Sequence, residues 1–265
     1  MKILVPTDFS PNSRTALEYA LCLFGNHNPE VVILNTWQIP HTGTGMLVSI
    51  EDLLRADAEK SMHDLIAGLT ISAQNISNLR GEVKEGALND VIRTMNRKEQ
   101  FDYVIMGTNG ADDLHKKIIG SNTANAMRST KVPLIIIPEG TVCKQPKRIA
   151  LATDFQPLNG AATNHIGRFA QLTMASFEAV HVNEKVVSGS SKSDLGFQLG
   201  GLSPEVVHVV SDNVSSGLDS YLNAGDIDLL IMVRRDYGLF ERIFHKSVSR
   251  TLAMHTKTPL LVIPE

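Results

Sequence analysis

The stretch Gly107-Thr108-Asn109-Gly110, followed by Ala111 to Ile119 and then Gly120-Ser121-Asn122, holds the residues of this chain best suited to chemistry. Glycines let backbone N–H groups approach an anion with no Cβ in the way, and the first turn of a helix presents N–H donors and a favourable dipole. An apolar strand pattern ends at Met106 and a helical pattern begins at Asn122, so one cluster opens a loop and the other closes it onto a helix. Ser121 adds a hydroxyl donor at the same point. The chemistry implied is binding of a phosphate, although each glycine alone fits a helix C-cap or a turn. Asp8 follows the first apolar strand, where it can accept a hydrogen bond from a ligand or cap and close a turn.

Signals for catalysis are few. The sequence has no GxxxxGK[ST] loop, no GxGxxG after its first strand, no GxSxG elbow and no carboxylates at an informative spacing. Its 9 histidines, among them His115 and His245, are scattered without metal-ligand spacing. No metal centre and no catalytic residue are assigned, and any hydrolysis of a bound nucleotide is expected to be slow.

The elements that must position these residues alternate. Apolar runs at Ile3 to Pro6, Val31 to Trp37, Leu79 to Val83, Tyr103 to Met106 and Leu134 to Ile137 read as strands. Helical patterns lie between them at Ser13 to Phe24, Ile50 to Leu69 with Ser49 as a cap, Leu88 to Lys98 and Asn122 to Ser129. Such alternation implies parallel strands with helices on both faces, and ligands then bind where the strand order reverses, at the carboxyl ends of the strands.

The chain repeats this plan. KILVPTDFS from Lys2 returns as RIALATDFQ from Arg148, FDYVIM from Phe101 as IDLLIM from Ile227, and KVPLIIIPE from Lys131 as KTPLLVIPE from Lys257. The offset is 146 residues for the first match and 126 for the other two, so the second copy is 20 residues shorter in its middle. There Glu184 to Ser203 is rich in Gly and Ser, and a helix is expected to be missing. The expected fold class is α/β: two tandem doubly wound parallel five-stranded sheets, Rossmann-like, with domains at 1–140 and 146–265 joined by Gly140 to Pro146.

Gly107-x2-Gly110-x9-Gly120-Ser121 resembles the ATP-binding signature G-2x-G-9x-G-[S/T] of the universal stress protein family, with every fixed position filled. The opening Val5-Pro6-Thr7-Asp8 and the two KxP endings resemble that family's first and last strands, so the resemblance covers nearly the whole chain. It implies an adenine nucleotide alpha hydrolase-like fold with ATP as ligand, with or without Mg. Pro6, Thr7 and Asp8 would surround the adenosine, Thr36 would line the adenine pocket, Met106, Gly107, Asn109 and Gly110 would contact ribose and phosphates, and Gly120, Ser121 and Asn122 would hold the phosphate tail. It also implies that Leu134 to Ile137 and Leu260 to Ile263 pair within the chain as a pseudo-dimer, which would cover two apolar edges. A homodimer of the whole chain is left open.

In the second copy Gly107, Gly110 and Gly120 are matched by Val233, Asp236 and Lys246, and only Ser121 has its match, Ser247. A Val side chain and a carboxylate oppose a phosphate by bulk and charge. Arg234, Arg235, Arg242 and Lys246 read as a solvated basic loop or as an altered anion site. The leading reading is a stress-response protein with regulatory or structural ATP in its first domain. The rivals are a slow ATPase or phosphotransferase, and a scaffold without nucleotide.

Composition sets the outer bounds. With 25 Lys and Arg against 28 Asp and Glu, the formal charge of −3 gives no general pull toward nucleic acid or an anionic membrane. The start MKILVPTDFS lacks a signal-peptide pattern, and no apolar run approaches the ~20 residues that span a bilayer. Cys22 and Cys143 form no CxxC and no zinc pattern. They are expected to be free thiols in a reducing cytoplasm, which is the expected location.

Overall fold

The computed structural model describes residues 1–39, 47–69, 78–108, 120–184, 199, 201–235 and 257–265, with the side chains of 47–50 set aside. The first half runs β1 (Lys2–Pro6), α1 (Pro11–Phe24), β2 (Glu30–Trp37), α2 (Leu47–Ala67), β3 (Asn78–Glu85), α3 (Leu88–Glu99), β4 (Tyr103–Gly107), α4 (Ser121–Ser129) and β5 (Leu134–Ile137). The second runs β6 (Arg148–Ala152), α5 (Gly160–Thr173), β7 (Ser176–Glu184), β8 (Glu205–Ser211), α6 (Val214–Ala224), β9 (Leu229–Arg234) and β10 (Leu260–Pro264).

The two expected five-stranded sheets are joined edge to edge through β5 and β10. The ten strands lie in the order β3-β2-β1-β4-β5-β10-β9-β6-β7-β8, so each half carries the same doubly wound order. Among the described residues the ten strands pair in parallel except β5 with β10, where Leu260 faces Ile136, Leu261 faces Ile135 and Val262 faces Leu134. Because side chains alternate along a strand, each half contributes to two apolar layers. One face packs Leu4, Met106, Ile136, Ala150, Met232 and Val262 with residues of α3, α4 and α6. The other packs Ile3, Ile105, Ile135, Leu151, Ile231 and Leu261 with α1 and α5. Each layer runs unbroken across both halves, since the sheet does.

Local chemistry sets the helix ends that matter at the site. α1 starts two residues before the expected Ser13: Ser10 is its N-cap, accepting from Ser13 N at 3.2 Å, and Pro11 takes a first-turn position where a missing N–H costs nothing. α4 starts at Ser121 with Gly120 as its N-cap residue. α2 begins at Leu47, so Ser49 lies within its first turn and is not its cap. Of the expected helix-free stretch Glu184 to Ser203, most lies outside the described residues, and Leu199 and Leu202 form an isolated antiparallel bridge.

The thiol expectation is overturned. Cys22 and Cys143 form a disulfide, with Cα atoms 6.3 Å apart across a separation of 121 residues. The connector returns over the carboxyl end of α1, where Gln145 Nε2 donates to Cys22 O at 2.7 Å and Leu23 O at 3.2 Å. Local spacing carries no trace of this contact, because the two cysteines are separated by 121 residues of chain. Among the described residues no helix is long and apolar enough to cross a membrane, and no group of three potential metal ligands is present.

Candidate nucleotide site and its counterpart

In the first half the strand order reverses between β1 and β4, which marks the crevice at their carboxyl ends as the place for a ligand. Pro6 ends β1 and is buried; Thr7 follows, 7 % exposed, with its N–H donating to Leu34 O at 2.8 Å and its carbonyl accepting from Asn35 Nδ2 at 2.9 Å. Ser13 Oγ donates to Ser10 O at 3.0 Å, which leaves Thr7 Oγ1 to donate to Ser13 Oγ at 2.9 Å. Thr7 Oγ1 also accepts from Phe9 N at 3.0 Å, and Asp8 Oδ1 accepts from Ser10 N at 3.1 Å. These bonds hold Phe9 at φ 64°, a left-handed conformation that a bulky residue adopts only under such constraint. Asp8 therefore closes the turn, and it is exposed at the crevice.

β4 supplies the opposite wall. The Met106 side chain is 5 % exposed and lies in the apolar layer with Ala126 and Met127, so only its backbone faces the strand end. Gly107 packs against α1: a Cβ there would stand 2.7 Å from Asn12 Nδ2 and 3.1 Å from Asn12 O. Asn12 Nδ2 reaches on to Thr108 Oγ1 at 3.3 Å, tying the start of α1 to the end of β4. Asn109 and Gly110 lie outside the described residues, as do His115, Lys116 and Lys117.

The far end of the glycine loop returns to the same place. Gly120 N donates to Thr108 O at 2.8 Å, and Thr123 Oγ1 donates to Gly107 O at 2.9 Å. Gly107 and the first turn of α4 are thus adjacent, with Gly120 buried and Ser121 and Asn122 exposed. The first-turn N–H groups of a helix have no partner within it and favour an anion. Thr36, half-buried near the end of β2, is one strand away and pairs with Lys84 of β3. Nine of the eleven sequence-derived positions fall among the described residues, and Thr36 is the one not tied into the β1–β4 crevice.

Five polar residues here were given no role in the sequence reading: Asn12, Ser13, Asn35, Thr108 and Thr123, all buried. Asn35 did leave a signal, as the one amide in the apolar run of β2.

The second half repeats the β1 turn closely. Thr153 N donates to Val180 O at 2.9 Å, Thr153 Oγ1 accepts from Phe155 N at 3.0 Å, Asp154 Oδ1 accepts from Gln156 N at 3.2 Å, and Phe155 has φ 60°. His181 Nδ1 takes the place of the Asn35 amide, 2.8 Å from Thr153 O. The crevice itself differs: Leu158 and Val233 stand where Asn12 and Gly107 stand in the first half, and both line it. Arg235 also lines it, with Nε 2.9 Å from Glu265 Oε2 and Nη1 3.9 Å from Asp154 Oδ1. Glu265 Oε1 accepts from Asn159 N at 2.6 Å, so a side-chain carboxylate already sits at the start of α5. Asp236, Arg242, Lys246 and Ser247 lie outside the described residues.

The profile of the universal stress protein family matches residues 1–138 and 194–264. Universal stress protein MJ0577 of Methanocaldococcus jannaschii is 25% identical over 151 residues, covering 51% of this chain and 93% of that protein. A universal stress protein from Archaeoglobus fulgidus, solved by crystallography, aligns with all of this chain and 96% of its own at a TM-score of 0.72 and 20% identity. The functionally unknown protein PA1789 of Pseudomonas aeruginosa aligns over 99% of this chain and 92% of its own, at a TM-score of 0.60 and 13% identity. The structural likenesses show a shared fold across both halves, and the match of the family profile to most of the sequence shows that the chain belongs to the universal stress protein family.

Proposed function

We propose that this chain is a stress-response nucleotide-binding protein in which residues 1–140 form a domain that holds ATP as a regulatory or structural ligand. Residues 146–265 form a domain that binds no nucleotide and serves as its intramolecular mate along β5 and β10. The observation that carries this reading is the bond from Gly120 N to Thr108 O. It brings the first turn of α4 beside Gly107, at the point where the strand order reverses. Phosphates would meet the N–H groups of Ser121 and Asn122 there, with Gly120 holding the turn through its own N–H on Thr108 O, while Asp8 and Thr7 face the adenosine and Thr36 bounds the adenine side. Asn109 and Gly110 complete the signature in sequence.

The second crevice supports the non-binding half of the reading. Val233 adds bulk at the Gly107 position, and Asp154 with Glu265 would repel an anion even though Arg235 lies between them. A cytoplasmic location belongs to the same proposal, and the disulfide is the feature it must accommodate, since such bonds are uncommon in reducing compartments.

The test is mass spectrometry of nucleotide released from freshly purified protein, with calorimetric titration of ATP into wild type and a Gly110→Val, Gly120→Val double variant. About one ATP per chain, lost in the variant, is the expected result; a wild type that neither carries nor takes up ATP would overturn the reading.

A further inference from the structure

α4 has only 9 residues, too few to hold itself together in water, so its placement depends on what anchors it. The first half anchors it through Gly120 N on Thr108 O, Thr123 on Gly107 O, Asn89 Nδ2 on Asn122 O and the buried side chains of Ala126 and Met127. A further anchor comes from across the seam. Arg234, the last residue of β9, donates from Nη1 to Met127 O at 2.8 Å and from Nη2 to Thr130 O at 2.5 Å. Along β9 the side chains of Leu230, Met232 and Arg234 share one face, the face on which α4 packs, so strand alternation aims the guanidinium at the end of that helix.

Carbonyls of a helix's last turn lack partners within the helix and carry the negative end of its dipole. A guanidinium reaching two of them is the favourable complement, and its planar fork spans both at once. In the first half the position that matches Arg234 is Thr108, the residue that receives Gly120 N. One strand-end position thus touches α4 from both halves: Thr108 at its start and Arg234 at its finish.

We infer that Arg234 is a positioning residue for the first half's site: supplied by the second half, it fixes α4 so that Gly120, Ser121 and Asn122 stay against Gly107. The inference rests on the ATP reading of that crevice, and it gives the second half a task beyond covering the edge of β5. A basic residue that reads in sequence as part of a solvated loop or an anion site is engaged instead with backbone carbonyls of its neighbour. Occupancy of the crevice and the state of the seam become coupled, because both bear on the same nine-residue helix.

The experiment uses the full chain with Arg234→Met, Arg234→Lys and, as a control within the second half, Arg235→Lys. ATP affinity is measured by calorimetry and amide hydrogen exchange is followed in α4 and α3. Arg234→Met is expected to weaken ATP on the order of tenfold and to speed exchange in α4 with α3 unchanged. Arg234→Lys should recover part of both, and Arg235→Lys should match wild type. Unchanged affinity in Arg234→Met overturns the inference whatever the exchange shows, and an equal loss in Arg235→Lys overturns it by revealing general destabilisation. If wild type itself takes no ATP, the nucleotide reading fails, and α4 exchange then decides alone: faster exchange in Arg234→Met supports the positioning role, and unchanged exchange removes it.

Discussion

Asn12 and Gly107 occupy each other's space: any Cβ at Gly107 would lie 2.7 Å from Asn12 Nδ2, inside contact distance. The second half solves the same packing with Leu158 and Val233, an apolar pair without the polar group. Gly107→Val alone is therefore expected to cost roughly 1 to 3 kcal/mol by overpacking and to abolish ATP binding. Adding Asn12→Leu should return much of that stability without returning the binding. Urea midpoints and ATP titrations on the two single variants and the double give the cycle; full additivity of the stability terms would show that the two positions do not act as a pair.

The seam between the halves makes a second prediction. Ile135 and Leu261 face each other across the antiparallel ladder, and both are fully buried. Residues 1–140 alone would expose the apolar edge of β5, and exposed edges of this kind recruit a partner strand. That fragment should sediment as a dimer or larger species in analytical ultracentrifugation. A monomeric wild-type fragment would mean that β5 needs no partner.

Much of this arrangement is legible in the sequence, and the reason is locality. Gly107 and Gly120 are separated by one loop, so their spacing is preserved in the chain, and the Thr-Asp-Phe turn folds identically at Phe9 and Phe155 because three neighbouring residues dictate it. What stayed hidden is tertiary. Cys143 meets Cys22 only because the connector doubles back, and Arg234 finds Met127 and Thr130 only because β9 lies on the other side of the β5–β10 seam. Asn12 is a single amide in a helix, with no spacing to distinguish it from a surface residue. Hydropathy along each strand does not encode the pairing of β5 with β10 that joins the two sheets, and only the family resemblance implied it.

The disulfide predicts a measurable stability difference. It closes a loop of 121 residues, and loops of that length lose considerable unfolded-state freedom when linked, so Cys143→Ser should cost roughly 2 to 4 kcal/mol. Chemical denaturation of the oxidised wild type and the variant reads this directly. Treatment of wild type with a reductant should reproduce the variant's midpoint, and equal midpoints under all three conditions would show that the connector is held by other contacts, such as Gln145 on the end of α1.

Asp228 sets an acid limb on stability. Burial by itself would raise its carboxyl above the ordinary 3.8, but Lys144 Nζ at 2.5 Å and the N–H groups of Lys147 at 2.7 Å and Arg148 at 3.0 Å outweigh that and hold it below. Between the folded and unfolded values the unfolded chain carries more protons, so stability rises with pH there. The contribution is complete above the unfolded value and disappears as pH falls through the folded one. Glu99 acts in the same direction, with burial opposing and Arg80 and Lys2 prevailing. Asp228→Asn should thus be less stable than wild type near neutral pH, and its loss of stability on acidification should be shallower. Urea denaturation from pH 6 down to about 2.5 separates the cases: parallel curves for the two proteins would mean that Asp228 does not fasten the connector to the second half through its charge.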